Sequence, residues 1–259
     1  TKNASVAFFD NPMIELVMMG AMTLSGIHFG ILYATITGRR NNIFRSEVVR
    51  GYVGMMFIAS IIIAASLFSE SIYPSFVESL RHASFQVVSI TTTSGFATAD
   101  TNTWTSLAIV LLMFCTVICG CAGSTSGGMK VDRLLIFCKI LWARIRRQQH
   151  PNAVIRIRVN GVAQDADALN SVVVFIVTYI VLILFATVNN TLFGQDLITA
   201  FSSAVACIGN IGPGFGEVGS YNNYADIPII LKIQGSILML MGRLEIFGFI
   251  QFISIRAWR

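Results

Sequence analysis

Long apolar stretches alternate with short polar ones along most of the chain. Four stretches contain no charged residue, and each meets or approaches the roughly 20 residues that an α-helix needs to cross a bilayer. They cover residues 16–38, 51–69, 101–129 and 168–195. A fifth apolar stretch, residues 226–259, carries Lys232, Arg243 and Glu245. This pattern predicts a membrane protein built from transmembrane helices.

Two shorter amphipathic segments follow the second and fourth stretches. Residues 73–88 place Phe76, Leu80 and Phe85 near helical spacing, and residues 196–206 form a similar candidate helix. Both segments are too short to span a bilayer, but each is long enough for a helix that enters the membrane without crossing it. We therefore predict two re-entrant pore helices.

Each predicted pore helix leads into a polar loop that contains glycine. The first loop, residues 89–100, reads SITTTSGFATAD, and the second, residues 207–219, reads CIGNIGPGFGEVG. Hydroxyl residues followed by Gly suit an extended backbone whose carbonyls replace the hydration shell of an ion. For either loop alone, a plain connector between membrane helices is the alternative.

The two loops occupy equivalent places in a repeated unit. Gly95 and Gly212 are 117 residues apart, and the apolar stretches that precede them repeat at nearly the same spacing. Because Gly214-Phe215 also matches Gly95-Phe96, two alignments of the loops remain open.

A Gly-rich interruption, GCAGSTSGGMK at residues 120–130, falls in the third apolar stretch. Each Gly in a helix costs about 1 kcal/mol relative to Ala, so we predict that the helix breaks here. A flexible loop inside the membrane that ends at Lys130 suits a gate or hinge. A helix that is only kinked by close packing is the alternative.

Local signals predict two further elements. Asp10-Asn11-Pro12 predicts the start of a helix that runs to about Thr37, and His28 within it is expected to be a packed polar residue rather than a ligand. The alternating residues 154–159 before Asn160-Gly161 predict a cytoplasmic β-hairpin.

Arg243 lies deep in the last predicted helix. A charge there costs at least ~2.5 kcal/mol, so its side chain should face water or a partner. Arg243 is then either an electrostatic barrier below a cation filter or a residue hydrogen-bonded to helix-end carbonyls. Glu245 is two positions away and points in another direction, so the two side chains need not pair.

The charge distribution supports the membrane interpretation. The chain is 54% hydrophobic, 12% charged and carries a formal net charge of +5. Most of its 18 Lys and Arg residues fall in connections on one side of the predicted spans, which the positive-inside rule assigns to the cytoplasm. Both Gly loops then face outward, and no nucleic-acid partner is expected.

The candidate reactive residues do not indicate an enzyme. Five cysteines lie in or beside apolar segments, and Cys119-Gly-Cys121 lacks a second pair of ligands. We expect buried thiols and no transition-metal site. Neither a nucleophile paired with a base nor a phosphate-binding loop stands out.

Three of these motifs together resemble the Trk/Ktr/HKT potassium transporter superfamily, and its Trk-type membrane subunit above all. They are TTTSGFATAD at 91–100, GCAGSTSGGMK at 120–130, and NIGPGFGEVG at 210–219 with GRLEIF at 242–247. The resemblance implies an all-α integral membrane protein. Its repeated units of helix, re-entrant pore helix and helix would form a potassium-channel-like pore. K+ would be the transported ion, with no covalently bound cofactor.

The resemblance also assigns roles to particular residues. The selectivity filter, whose backbone carbonyls would bind K+, corresponds to Thr92, Thr93, Ser94, Gly95, Gly209, Asn210, Ile211 and Gly212. The gate corresponds to Gly120, Gly123, Ser124, Thr125, Ser126, Gly127, Gly128 and Lys130 in an intramembrane loop and to Arg243 opposite that loop. Ser94 departs from the Thr more often found before the filter Gly. We expect little effect because the carbonyls coordinate the ion.

The family pore has four repeats, and the resemblance assigns the parts of this chain to the second, third and fourth repeats and to one connector. Residues 1–49 would end the second repeat, 50–149 form the third with its broken inner helix, 150–167 the cytoplasmic hairpin connector, and 168–259 the fourth. The chain would then cover half of the pore, and the missing N-terminal repeats are expected on the same polypeptide. The resemblance also implies membrane lipid contacts, a homodimer, a cytosolic nucleotide-binding regulatory ring, and a place in a bacterial cytoplasmic membrane.

The leading hypothesis is K+ uptake through a carbonyl-lined filter, gated by the Gly-rich loop and Arg243. One alternative is a related Na+/K+ transporter. Another is a secondary transporter that binds a small solute at broken helices. A noncatalytic membrane scaffold that pairs through small-residue faces is the third.

Overall fold

The computed structural model describes residues 5–38, 43–150 and 155–253. Within these ranges the regular secondary structure is almost entirely helical. The helices are α1 (Pro12–Ser25), α2 (Phe29–Ile36), α3 (Glu47–Ser69), α4 (Phe76–Thr91), α5 (Ser106–Ile118), α6 (Val131–Gln149), α7 (Ala166–Leu192), α8 (Leu197–Gly209), α9 (Ile229–Arg243) and α10 (Ile246–Ile253). The strands are β1 (Arg158–Val159) and β2 (Val162–Ala163).

The helix lengths confirm the predicted all-α membrane fold class. Helices α3 and α7 are each long and apolar enough to cross a membrane, and α1 and α2 pass the same test only as a bent pair. Helix α5 has 13 residues, because the predicted stretch 101–129 is interrupted by the Gly-rich sequence. The stretch 226–259 is likewise divided between α9 and α10.

Helices α3, α4 and α5 pack against one another as one unit. Ser46 caps α3 by accepting a hydrogen bond from the Val49 amide at 3.4 Å, and Ser75 caps α4 through the Glu78 amide at 3.2 Å. The C-terminal half of α4 is buried between its neighbours. Tyr52 of α3, which is fully buried, anchors this core.

Helices α7 and α9 likewise both pack against α8. Asp196 caps α8 by accepting from the Ile198 amide at 3.2 Å, and the helix is buried from Thr199 to Gly209 except at Phe201. Both short helices that the sequence predicted are present, and each extends three residues beyond its predicted end. They continue because the small and hydroxyl residues at their ends are enclosed by the core.

The predicted helix from Pro12 to Thr37 is wrong as a single element. Helix α1 ends at Ser25 and α2 begins at Phe29, and their axes differ by 102°. Close packing explains the break, since a Cβ added at Gly26 would collide with the Tyr52 hydroxyl. His28 is an exposed helix cap whose Nδ1 accepts from the Gly30 amide at 2.8 Å. It is therefore not the packed polar residue that was expected.

The last predicted helix is also divided. Helix α9 ends at Arg243, and Glu245 has a φ of +53° before α10 begins. The Glu245 carboxylate pairs with Lys130 and Arg133, at 2.9 and 2.6 Å. These two partners, distant in sequence, hold the chain in a conformation that a helix does not allow.

The predicted hairpin is present but short. Arg158 pairs with Ala163 and Val159 with Val162, around an Asn160-Gly161 turn in which both residues have positive φ. Residue 154, at the start of the predicted strand, lies outside the described residues. Lys139 of α6 fixes the hairpin, because its Nζ lies 2.7 Å from the Arg158 carbonyl and from the Glu47 carboxylate.

One cysteine differs from expectation. Cys115, Cys119, Cys121 and Cys207 are buried free thiols, but Cys138 is exposed on α6. Helix α6 carries many Lys and Arg residues and packs through only part of its surface. The apolar context of Cys138 therefore did not imply burial.

Candidate functional site

The first polar loop turns sharply where α4 ends. We call residues 92–95 segment A. Thr92 ends the helix, and Thr93 and Gly95 have φ values of +59° and +71°. The amides of Thr93 and Ser94 donate back to α4, to the carbonyls of Ile90 at 3.0 Å and Ser89 at 2.9 Å. Because the amides point back at α4, the backbone leaves the helix end in a fixed direction.

The second polar loop turns in the same way where α8 ends. We call residues 209–212 segment B. Asn210 and Gly212 have φ values of +55° and +105°. The Asn210 amide donates to Cys207 at 3.1 Å, and the Ile211 amide donates to Ala206 at 3.0 Å.

These backbone hydrogen bonds decide between the two possible alignments of the loops. Each donor and acceptor in segment A has its counterpart 117 residues later in segment B, and so do the positive-φ residues. Gly95 therefore corresponds to Gly212. Pro213 and Gly214 are two additional residues before Phe215, which explains why the aromatic residue is out of register.

Segments A and B lie directly against each other. A Cβ added at Gly95 would collide with the Ile211 carbonyl oxygen and would lie 3.0 Å from Cδ of Pro213. Gly95 also has positive φ, so only glycine fits the position without strain. Within segment A, the Thr92 and Ser94 hydroxyls are hydrogen-bonded at 2.9 Å.

A loop without helical structure, residues 119–130, separates α5 from α6, and we call it the Gly-rich loop. The Gly127 amide donates to the Thr93 hydroxyl at 3.4 Å, and a Cβ at Gly127 would collide with the Gly209 carbonyl. Gly127 thus contacts both segments. The predicted break in this helix is confirmed.

The Gly-rich loop also contacts the break between α1 and α2. The Cys121 amide donates to the Gly26 carbonyl at 3.0 Å, and the Phe29 amide donates to the Gly123 carbonyl at 3.1 Å. The Thr125 amide donates to the Ser25 carbonyl at 3.4 Å. These bonds satisfy backbone groups that two interrupted helices leave unpaired.

Charged residues hold the Gly-rich loop at two points. Nη1 of Arg243, an exposed residue at the end of α9, donates to the Thr125 carbonyl at 2.7 Å. At the loop's end, Lys130 pairs with Glu245, which also pairs with Arg133. Arg243 and Glu245 thus act on different parts of the loop, as their spacing predicted.

The other predicted gate residues lie along the Gly-rich loop between its ends: Gly120, Gly123, Ser124, Ser126 and Gly128. The Ser124 and Ser126 hydroxyls are hydrogen-bonded at 2.7 Å. A Cβ at Gly128 would collide with Sγ of Cys119, and one at Gly120 would lie 3.0 Å from Cβ of Ser126. The glycines therefore allow a compact loop whose two serine hydroxyls bond within it.

An ion pair between α1 and α4, whose carboxylate is buried, was not predicted. Arg81 of α4 donates to the Glu15 carboxylate through Nε and Nη2, both at 2.7 Å, and Nη2 lies 3.0 Å from Asp10. The Glu15 side chain is 3% exposed, whereas that of Asp10 is 84% exposed. Two charged residues could have indicated the pair: Glu15 at the start of an apolar helix and Arg81 within a predicted pore helix.

Comparisons with known proteins identify the family to which the chain is similar. The family model described as "TrkH: Cation transport protein" matches residues 1–257. The Trk system potassium uptake protein TrkH of Halomonas elongata is 34% identical over 261 residues, which is 100% of this chain and 53% of that protein. The protein of that name from Escherichia coli K12 is 33% identical over 260 residues, again 100% and 53%.

A solved structure has the same fold. The crystal structure of the potassium transporter TrkH from Vibrio parahaemolyticus matches with a TM-score of 0.90 and 31% sequence identity, over 99% of this chain and 55% of that chain. This chain therefore spans about half the length of these relatives. Since the family model matches nearly its whole length, the chain belongs to the TrkH family of cation transport proteins.

Proposed function

We propose that this chain supplies two filter segments and a gate to a pore for K+ uptake. The observation that carries the proposal is the position of Gly127, which contacts Thr93 in segment A and Gly209 in segment B. A loop in that position obstructs a path that runs past both segments. Its relatives are named potassium uptake proteins.

The filter part of the proposal rests on backbone geometry. In segments A and B amides bond back to the pore helices, and in the described residues no backbone amide bonds to the carbonyls of residues 92–95 and 209–212, which can therefore face a path. Carbonyl oxygens in such rings replace the water around K+. Side-chain chemistry matters less, so Ser94, Asn210 and Ile211 are acceptable in these segments.

The gate part rests on the bonds that hold the Gly-rich loop. Arg243 bonds to Thr125, and Lys130 bonds to Glu245. A positive guanidinium beneath a cation filter repels the ion as well as holding the loop. Opening then requires the loop and Arg243 to separate.

The remaining roles concern the whole protein. We assign residues 1–49 to the end of the second pore repeat, 50–149 to the third, 150–167 to a cytoplasmic connector and 168–259 to the fourth. The basic α6 and hairpin would lie inside the cell and face a cytosolic nucleotide-binding ring, in a homodimer whose segments A and B point outward. Support comes from the charge of α6 and from the share of the relatives that the chain covers.

Rb+ uptake by the full-length protein in proteoliposomes tests the function. Inhibition of Rb+ uptake by K+ and by Na+ is measured for the wild type, Gly95→Ala and Gly54→Ala. Gly95→Ala adds a Cβ that meets the Ile211 carbonyl, whereas a Cβ at Gly54 meets nothing within 4 Å. The second variant therefore controls for the substitution itself.

We expect uptake that K+ inhibits much more strongly than Na+, with Gly54→Ala close to wild type. Gly95→Ala should lower uptake or its preference for K+ by about fivefold or more, which is the effect of about 1–3 kcal/mol of overpacking. The proposal would be contradicted if Na+ and K+ inhibited uptake equally. It would also be contradicted if Gly95→Ala changed neither the uptake nor its preference for K+.

A further inference from the structure

A tyrosine outside both segments bonds to the end of segment B. The Tyr224 hydroxyl donates to the Gly212 carbonyl oxygen at 2.9 Å. Tyr224 lies in the connection between a short 3-10 turn, Gly216–Val218, and helix α9. Since Gly212 has a φ of +105°, its peptide has a conformation that other residues rarely adopt, and the tyrosine holds the carbonyl of that peptide.

The Tyr224 side chain is itself held from behind. It packs against the hydrophobic core and lines a small cavity of about 20 Å³ together with Cys207 and Gln195. Nearby amides are fixed, because Asn190 donates to Ser203 at 3.0 Å and Gln234 donates to Asn190 at 3.1 Å. The phenol ring therefore has little freedom to swing away from Gly212.

The cavity has room for one water molecule, since about 10–15 Å³ suffices for this. Oε1 of Gln195, which lines the cavity, is buried and has no hydrogen-bond partner in the described part of the chain. A water there would satisfy this oxygen and fill the space beside the tyrosine. The support behind Tyr224 thus includes polar groups as well as the hydrophobic core.

In the part of the chain that the structure describes, no tyrosine hydroxyl bonds to the end of segment A. There the Ser89 hydroxyl donates to the carbonyl of Phe96 at 2.6 Å, one residue beyond Gly95. In the described residues, no side chain donates to the Gly95 carbonyl. The two segments therefore have matching backbones but different supports at their outer ends.

We propose that Tyr224 is a positioning residue for ion selectivity, which acts by fixing the direction of the Gly212 carbonyl. This inference rests on the proposed K+ function. Selection between K+ and Na+ depends on the number and orientation of carbonyl dipoles around the ion. Without the hydroxyl, the Gly212 carbonyl can turn towards a smaller ion, and the barrier against Na+ falls.

Tyr224→Phe tests the role because it removes one oxygen and keeps the ring packing. Tyr221→Phe is the matched control, since it removes a hydroxyl three residues away that makes no hydrogen bond to either segment in the described structure. Both variants of the full-length protein are reconstituted. Rb+ uptake is then measured against K+ and Na+, giving the ratio of the two inhibition constants and the maximal rate.

The expected result is a fall of about three- to tenfold in the K+ over Na+ ratio for Tyr224→Phe, the range set by one neutral hydrogen bond. Tyr221→Phe should keep the wild-type ratio. A lower maximal rate with an unchanged ratio would mean a structural role and would overturn the inference.

The K+ selectivity of the wild-type protein distinguishes failure of this inference from failure of the proposed function. If wild type selects K+ and Tyr224→Phe selects it equally well, Tyr224 has no positioning role and the proposed function stands. If wild type does not distinguish K+ from Na+, both proposals fail.

Discussion

Arg243 and Thr125 are 118 positions apart in the chain, and the Arg243 guanidinium donates to the Thr125 carbonyl at 2.7 Å. This bond joins the end of α9 to the middle of the Gly-rich loop. A side chain that carries charge and also binds the loop backbone links electrostatics to loop position. A substitution that removes the charge of Arg243 or its bond to the loop should change ion flux.

Arg243→Met should raise Rb+ uptake, because it removes both the bond to Thr125 and a positive charge. Unit charges ~8 Å apart at an effective dielectric constant of ~20 repel by about 2 kcal/mol, so the increase should be as much as about thirtyfold. Arg144→Met, an exposed residue on α6, is the control and should leave uptake unchanged. Normal protein levels with unchanged uptake in Arg243→Met would refute the gate role.

Gly127→Ala should destabilise the protein, because its Cβ would collide with the Gly209 carbonyl. Overpacking of a buried site costs about 1–3 kcal/mol, so the unfolding temperature in detergent should fall by several degrees. In Gly20→Ala the Cβ meets nothing within 4 Å, and we expect no decrease. Equal unfolding temperatures for the two variants would show that the loop does not pack against segment B.

Glu15→Gln should be strongly destabilising because it leaves Arg81 charged and without its buried partner. Loss of one member of a buried pair costs about 3–5 kcal/mol. Asp10→Asn removes the exposed partner of the same arginine and should cost less than about 1 kcal/mol. Thermal unfolding of both variants measures the difference, and a larger effect for Asp10→Asn would reverse the assignment.

Cys138 should react with a water-soluble maleimide in the folded, detergent-solubilised protein. The other four cysteines of this chain are buried and should react only after unfolding. Mass spectrometry of labelled peptides from these residues checks this, with Cys138→Ser as the control. Rapid labelling of Cys119 or Cys121 in the native protein would show that the Gly-rich loop opens readily.

Local sequence signals were sufficient for the pore helices and for the break at the Gly-rich loop. Amphipathic spacing ending in glycine or hydroxyl residues predicted α4 and α8 to within three residues at their ends. The repeat spacing from Gly95 to Gly212 was also readable, and backbone hydrogen bonds confirm it. The helices and the break depend on residues close together in the chain, and the repeat depends on similar local patterns, so all of them can be read from the sequence.

The other breaks arise from contacts that a sequence does not display. Gly26 ends α1 because it lies against Tyr52, and Glu245 interrupts the last helix while paired with Lys130 and Arg133. The local sequences there are apolar enough for continuous helix. The role of Tyr224 depends likewise on folding of the preceding connection, which brings its hydroxyl to Gly212.

The break between α1 and α2 makes displacement of the Gly-rich loop a hydration event. Gly26, Ser25 and Phe29 use backbone groups to bond to that loop. When the loop moves away, these donors and acceptors lose their partners, and each is costly to leave bare in a dry environment. Water must therefore enter as the loop leaves, so osmolytes too large to enter the space between the loop and the α1–α2 break should favour the arrangement in which the loop stays bound.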